Sequence, residues 1–179
     1  QNDSSGDIWL FKVNNTGQML WEKTYGGESF EAGRSLQQTS DNGYIIIGHT
    51  ESFGNGNNDA YLLKTDSQGN ELWSRTYGGS GTDQGRHIVE DLDQGYIISG
   101  YTDSYGSMGG FNFWLIKTDS NGDLEWQEYY GGSGNDRAFC GLQASDGGYA
   151  IVGQSNTGGS TGMDILIVKT DDTGNADPF

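Results

Sequence analysis

The sequence predicts an all-β protein built from a tandem repeat of about 52 residues. The repeat opens with an acidic or amide residue at Asp7, Asp59, Asn112 and Asp164, at offsets of 52, 53 and 52 residues. Two further markers keep this period: a tryptophan at Trp21, Trp73 and Trp126, and a Gly-Tyr pair ending at Tyr44, Tyr96 and Tyr149. A fixed period of this length is typical of repeat architectures, in which each copy is one supersecondary unit.

Each copy contains four short apolar runs, which follow one another along the chain as strands C, D, A and B. Asx residues followed by glycine separate C from D and A from B, which is the chemistry of hairpin turns. The predicted starts are Asp7, Asp59, Asn112 and Asp164 for C; Gln18, Asn70 and Asp123 for D; Gly33, Gly85 and Ala138 for A; Tyr44, Tyr96 and Tyr149 for B. The sequence therefore predicts thirteen strands.

Four strands in each period of this length predict propeller-type blades, about three and a quarter of them, open or completed between subunits. A parallel β-helix is the alternative, but its rungs are shorter and lack two hairpin turns per period. We expect a single repeat domain over residues 1–179. Its parts are an N-terminal half blade (7–25), two blades (33–77 and 86–130) and an incomplete C-terminal blade (138–170).

The charge and composition restrict the partners. Twenty-five acidic and nine basic residues give a formal net charge of -16. Such a chain repels phosphate backbones, so nucleic-acid binding is disfavoured. No run approaches the roughly 18 apolar residues of a membrane span. Few lysines, many small polar residues and a start at Gln1, as in a processed secreted protein, favour an extracellular or cell-surface location.

The sequence offers little for catalysis. His49 and His87 lie on different strands and are expected at half-exposed sheet positions, and no nucleophile motif accompanies them. Cys140 is the one cysteine, which excludes an internal disulfide, and we expect a small buried hydrophobe in strand A. The prediction is a protein that is not an enzyme and needs no cofactor, with calcium left open.

The hairpin tip between C and D in the third copy is the candidate calcium site. Asp119, Asn121 and Asp123 place oxygen ligands at alternate positions, as a hard cation requires. Asx-turn chemistry explains the same residues without metal, and both interpretations stay open.

Aromatic side chains and Asn-x-Ser/Thr triplets suggest contacts with glycans. The recurring tryptophans suit packing between blades, because they keep their register in every copy. Phe53, Tyr105 and Phe111 lie in the variable loops after strand B, where no neighbour in the sequence requires an aromatic side chain, and are candidate sugar platforms. Asn2 and Asn14 begin triplets of the N-glycosylation pattern.

The segment from Gly78 to Asp136 resembles the β-propeller repeat of secreted and cell-surface proteins of bacteria and archaea. That repeat shows a Gly-Gly-Ser-Gly-x-Asp loop, a Gly-Tyr strand ending in Gly-x-Thr, and a Lys-x-Asp-x-x-Gly hairpin followed by Trp. The resemblance extends over nearly all of 7–174, with departures at 28–31 and 137–139. It implies a propeller scaffold and no particular activity.

The strand count predicts self-assembly. The N-terminal blade has only strands C and D, and the C-terminal blade has only A, B and C. Unpaired strand edges recruit other chains. We expect residues 7–25 of one subunit to complete the blade begun by 138–170 of the next, giving a ring or filament. The residues assigned to this contact are Asp7, Trp9, Trp21, Asp164, Ile165 and Val168. The alternatives are a fragment of a longer repeat array and, for function, a carbohydrate-binding surface module.

Overall fold

The computed structural model describes residues 6–106, 109–157 and 162–176, and every helix or strand within these ranges is a β-strand. The thirteen strands are β1 (Ile8–Val13), β2 (Met19–Tyr25), β3 (Glu31–Gln38), β4 (Tyr44–Thr50), β5 (Asp59–Thr65), β6 (Glu71–Tyr77), β7 (Asp83–Glu90), β8 (Tyr96–Thr102), β9 (Asn112–Thr118), β10 (Leu124–Tyr130), β11 (Asp136–Gln143), β12 (Tyr149–Ser155) and β13 (Asp164–Lys169). The all-β prediction is confirmed.

The strands form four antiparallel sheets in chain order. The sheets are β1-β2, β3-β4-β5-β6, β7-β8-β9-β10 and β11-β12-β13, and they span 8–25, 31–77, 83–130 and 136–169. The two middle sheets thus have the strand order A-B-C-D. The first and last sheets are not hydrogen-bonded to each other, so the described chain does not close on itself. It also contains no helix long and apolar enough to cross a membrane.

Strand A begins two residues earlier than the sequence predicts. Glu31 pairs with Thr50 at the start of β3, and the ladder then shifts register between Gly33 and Ser35. Opposite this β-bulge, a Cβ on Gly48 would collide with the carbonyl oxygen of Ala32, so the backbone approach requires glycine. Gly100 and Gly153 occupy the same position in the third and fourth sheets.

The apolar core lies between successive sheets. In β4, Ile46 packs towards the first sheet with Ile8, whereas Ile45 and Ile47 pack towards the third sheet with Trp114 and others. Successive side chains of a strand point to opposite faces, so each middle sheet is apolar on both sides. This explains why β5, β8 and β9 are buried along their whole length.

A latch between neighbouring sheets recurs at the C-D hairpin tips. The ring of Trp73 lies against Gly122, where a Cβ would come 2.7 Å from the ring, and it meets Tyr96 at a centroid distance of 6.0 Å. Beside it, the Tyr77 hydroxyl donates to the Gly122 carbonyl at 2.6 Å. Trp21 and Trp126 make the same contact with Gly69 and Gly174. The prediction that these tryptophans pack between sheets is confirmed.

Candidate assembly surfaces

The first sheet has one packed face and one exposed apolar face. Ile8 is buried against the second sheet, whereas Trp9 and Phe11 are 55% and 47% exposed. Their rings contact each other at a centroid distance of 4.7 Å, and the Trp9 Nε1–H donates to Glu22 Oε2 at 3.0 Å. Trp114, which holds the Trp9 position in the third sheet, is only 1% exposed. The exposed face therefore corresponds to the face that the third sheet packs against the second.

The last sheet exposes its opposite apolar face. Ile165 and Ile167 on β13 are 80% and 62% exposed, whereas Phe113 and Leu115 at the same positions of β9 are completely buried. Val152 on β12 pairs with Ile167 and extends the exposed apolar surface. We call the surface of Trp9, Phe11 and Val13 the head face, and that of Val152, Ile165 and Ile167 the tail face.

The six predicted assembly residues divide into two groups. Trp9 and Ile165 belong to the head and tail faces, and Asp7 and Asp164 are exposed beside them. Trp21 and Val168 do not fit the prediction, because Trp21 packs on Tyr44 and Val168 is buried against the third sheet. The sequence interpretation missed Phe11 and Ile167, although the alternation of faces along a strand places both beside the residues it chose.

A groove runs along the unpaired edge of β1. Its volume is about 220 Å³, and its floor and walls come from Ile8, Trp9 and Leu10, from residues 33–36 of β3 and from Ile46. In the complete sheets this side of strand C pairs with strand B, as β5 does with β4. The groove therefore has the apolar floor and the free backbone edge that an added strand needs.

A buried lysine on strand C pairs with the A-B turn of its own sheet. Lys64 Nζ lies 2.7 Å from Asp41 Oδ2. Burial alone would raise the pKa of Asp41, but hydrogen bonds, first from Lys64 and then from Thr39, lower it to about 2. Lys117 and Lys169 pair in the same way with Asp93 and Asp146.

Lys12 is the equivalent lysine of the first sheet, which has no A-B turn. Within the described ranges it makes no salt bridge, and its nearest recorded partner is the ring of Tyr44 at 5.8 Å. Among the described residues Lys12 therefore has no carboxylate partner, whereas Lys64, Lys117 and Lys169 each have at least one.

Two of the three predicted sugar platforms are engaged within the protein. The Tyr105 ring packs on Tyr129 at 5.5 Å, and its hydroxyl donates to the Gly78 carbonyl at 2.7 Å. Phe111 meets the edge of Tyr101 at 5.0 Å. The assumption that no neighbour requires these residues to be aromatic is wrong for both, because their partners come from other strands.

Phe53 is the most exposed of the three, at 43%. It stacks on Tyr61 at 5.7 Å and borders a cavity of about 220 Å³ with residues 74–76.

The candidate calcium site forms an Asx turn. Asp119 Oδ1 accepts the backbone N–H groups of Asn121 and Asp123 at 2.8 and 2.9 Å, and Arg75 donates to Asp123. Hydrogen bonds, the largest from the Asp123 backbone, lower the pKa of Asp119. The described part of the chain contains no metal-binding group of three His, Cys, Asp or Glu side chains. Calcium binding stays a prediction, which a higher Tm in calcium than in chelator would support.

Asn14 forms the same turn at an exposed tip, where its Oδ1 accepts the N–H of Thr16 and of Gln18 at 3.0 and 2.9 Å. Its glycosylation stays a prediction. Asn2 lies outside the described residues.

The histidines and the cysteine differ from expectation. His49 is not half-exposed but 3% exposed, and its Nδ1 has no partner among the described residues. Burial, reinforced by Arg34 and Arg86, lowers the pKa of His49 to about 4. Cys140 is only partly buried, because its side of β11 belongs to the last sheet's outward face. His87 is partly buried as expected.

Comparisons with known proteins leave the family open. No family model and no curated protein matches the chain. A crystal structure of a protein of unknown function from Bacteroides caccae is similar with a TM-score of 0.45 and 10% identity. The match covers 96% of this chain and 76% of that one.

Proposed function

We propose that this protein is a non-catalytic extracellular structural or interaction module of propeller-type repeats, which assembles head to tail by completing blades between copies. The observation that carries the proposal is the complementarity of the two end sheets around two complete A-B-C-D sheets. The first sheet consists of C and D, and the last of A, B and C. Strand β1 of one subunit would replace β13 of the next subunit and pair with its β12.

The exposed side chains supply the driving force. Transfer of a large apolar side chain from water to an interface contributes about 1.5–3 kcal/mol. The head face carries three such side chains, and in a completed blade Trp9 and Phe11 would take the positions that Leu166 and Val168 hold against the third sheet. Aromatic anchors of this kind dominate binding energy at interfaces. A contact between different faces grows into a ring or filament, depending on the rotation between copies.

Charge complementarity fixes the register. In a completed blade, Lys12 would occupy the position of Lys169 and meet Asp146, which now lies 2.9 Å from Lys169. The pair would reproduce that of Lys64 with Asp41. Direct stacking of the head face on the tail face, without strand replacement, would leave Lys12 unpaired. Substitution of Lys12 therefore separates the two modes of contact.

Light scattering and electron microscopy over a range of concentrations test the proposal. We expect oligomers that dissociate in Trp9→Glu and weaken in Lys12→Met. Ile165→Glu should leave strand replacement intact, because Ile165 lies on the strand that β1 replaces, and should abolish only direct stacking of the two faces. Leu92→Glu is the matched control, since Leu92 is 91% exposed and lies in an A-B turn away from both faces. A wild-type chain that stays monomeric at high concentration would overturn self-assembly. Full assembly of Lys12→Met would reject strand replacement and retain stacking.

Carbohydrate binding is a second candidate, supported by the exposure of Phe53 beside its cavity. An aromatic ring next to the polar groups of Ser74 and Thr76 suits a sugar. A glycan array with wild type and Phe53→Ala tests it, and equal signals from both would reject this loop as the site.

A further inference from the structure

The A strands of this acidic protein carry most of its arginines. Three of its four arginines are Arg34 on β3, Arg86 on β7 and Arg137 on β11. These strands pack against one another in succession, β3 on β7 and β7 on β11. The inner edges of the sheets therefore bring three arginines together, on strands that also carry the carboxylates of Glu31, Asp83, Glu90 and Asp136.

Two of these three arginines have no carboxylate partner. Arg75, the fourth arginine, pairs with Asp123 at 3.3 Å, but Arg86 and Arg137 make no salt bridge with any described residue. The Nε atoms of both are buried and have no acceptor there. A buried donor without a partner destabilises the fold, and more so when it is charged.

Aromatic rings surround the two guanidinium groups. Both lie near Tyr101, at 5.1 Å for Arg86 and 5.3 Å for Arg137 from the ring centroid. Arg137 is also 4.4 Å from the centroid of Phe111, and Arg86 is 6.0 Å from that of Phe139. Cation–π contacts stabilise the two guanidinium groups, but they leave the N–H donors in the guanidinium plane without acceptors.

Hydrogen bonds to neighbouring side chains do not satisfy all of these N–H donors. Arg86 Nη2 donates to the Tyr101 hydroxyl at 3.1 Å, and that hydroxyl donates to Gln84 Oε1 at 2.7 Å. Arg137 makes no side-chain hydrogen bond to a described residue. Buried His49 lies close to two of these arginines: burial, then Arg34 and Arg86, lower its pKa, and Glu31 opposes them.

We propose that Arg86 and Arg137 bind the carboxylate of an acidic sugar, a uronic acid, with Phe111 and Phe139 contacting the apolar face of its ring. A carboxylate matches the planar guanidinium fork and would accept from the terminal N–H groups of the two arginines, because their Nε atoms are closed to solvent. Phe139 is 43% exposed and both arginines are partly buried, so the cluster is reached from solvent. This site is separate from the head and tail faces and does not depend on self-assembly.

Titration calorimetry with sodium glucuronate, glucose and sodium sulfate tests the site. We expect glucuronate to bind and neutral glucose not to bind. Arg137→Gln and Arg86→Gln should each weaken glucuronate about tenfold or more, the usual effect of losing a charge-assisted hydrogen bond. Lys23→Gln is the control, since it changes the net charge equally and Lys23 lies on β2, outside both this cluster and the Phe53 cavity. Circular dichroism and the milder Arg137→Lys variant check that the fold is intact.

Three results would overturn the proposal. One is the absence of glucuronate binding to the wild type. Another is equal weakening in Lys23→Gln, which would indicate a general charge effect. The third is sulfate binding at the level of glucuronate together with no effect of Phe111→Ala, which would indicate a bare anion site.

Discussion

His49 shows how a single buried side chain makes stability depend on pH. Its pKa falls from 6.5 to about 4 because of burial and the nearby Arg34 and Arg86, with Glu31 opposing them. The folded state thus favours neutral His49. Its stabilising effect is complete above pH 6.5 and is lost as the pH falls from 6.5 towards 4, because only the unfolded chain gains a proton in that window.

Urea unfolding at pH 7 and pH 4.5 checks this effect. We expect the wild type to lose about 1–3 kcal/mol more between the two pH values than His49→Gln. Glutamine is a suitable replacement, because Gln154 occupies this position in the last sheet. Other titrating groups are common to both chains, so an identical loss in the two proteins would exclude His49 as the cause.

The lysine pairs predict unequal costs for equivalent substitutions. Lys64 and Lys117 have side chains that are 5% exposed, but Lys64 has one carboxylate partner, whereas Lys117 also lies 3.4 Å from Asp91 and 3.1 Å from Glu125. Removing the sole partner of a buried charge is costly, about 3 kcal/mol in a fully buried pair and less here, because Asp41 is exposed. We expect Asp41→Asn to destabilise the protein more than Asp93→Asn.

Chemical denaturation of both variants measures the difference. Equal losses, or a larger loss for Asp93→Asn, would show that the two additional carboxylates do not compensate Lys117.

At the residue level, the sequence predicted contacts that repeat and missed those that do not. The tryptophan positions recur in three copies, so their packing between sheets could be inferred from register alone. Tyr105 and Arg137 occur once, and their partners Tyr129 and Tyr101 come from separate strands. Only the folded chain brings such pairs together, so neither the burial of Tyr105 nor the arginine cluster was predicted.

At the level of strands, the turn chemistry located the hairpins well and the bulges not at all. Strand B and three of the four C strands start where the sequence predicts, because Gly-Tyr and the Asp or Asn marker lie at real strand ends. The register shifts in strand A, as between Gly85 and His87, leave no periodic signal, since one extra residue merely reverses the alternation. The acidic residue before each bulge was therefore placed in a loop.

The hairpin glycines give a direct measure of packing between sheets. Gly122 and Gly17 have φ of +76° and +80°, so alanine is strained equally at both. A Cβ at Gly122 would also meet Trp73, whereas nothing lies within 4 Å of one at Gly17. We expect Gly17→Ala to cost about 1 kcal/mol from backbone strain alone. Gly122→Ala should cost about 1–3 kcal/mol more through overpacking.

Thermal or urea unfolding of the two glycine variants provides the comparison. Equal destabilisation would mean that the tryptophan moves aside without loss, and that the latch adds little to the contact between sheets.

At the level of the whole molecule, the strand order of the sheets could be predicted, but the identity of what covers the two end faces could not. The repeat defines which side chains point to the previous sheet and which to the next, and the middle sheets follow that rule. The head face carries side chains that point towards a previous sheet, and the tail face carries side chains that point towards a next sheet. No described sheet covers either face. The sequence of one subunit contains no signal for the orientation of the next subunit, because the rotation between sheets depends on packing across the whole interface.

Mixing two chains, each blocked at one face, tests this orientation. Trp9→Glu disables the head face and Ile165→Glu the tail face, so each variant alone should be monomeric if the two faces stack directly. Strand replacement, which displaces β13, would instead let Ile165→Glu assemble alone. An equimolar mixture should form a one-to-one dimer and grow no further, because the intact tail of the first variant meets the intact head of the second. Size-exclusion chromatography with light scattering distinguishes this outcome from isologous pairing. If identical faces paired instead, the Ile165→Glu chain would still dimerise alone through its heads, and mixing would add nothing.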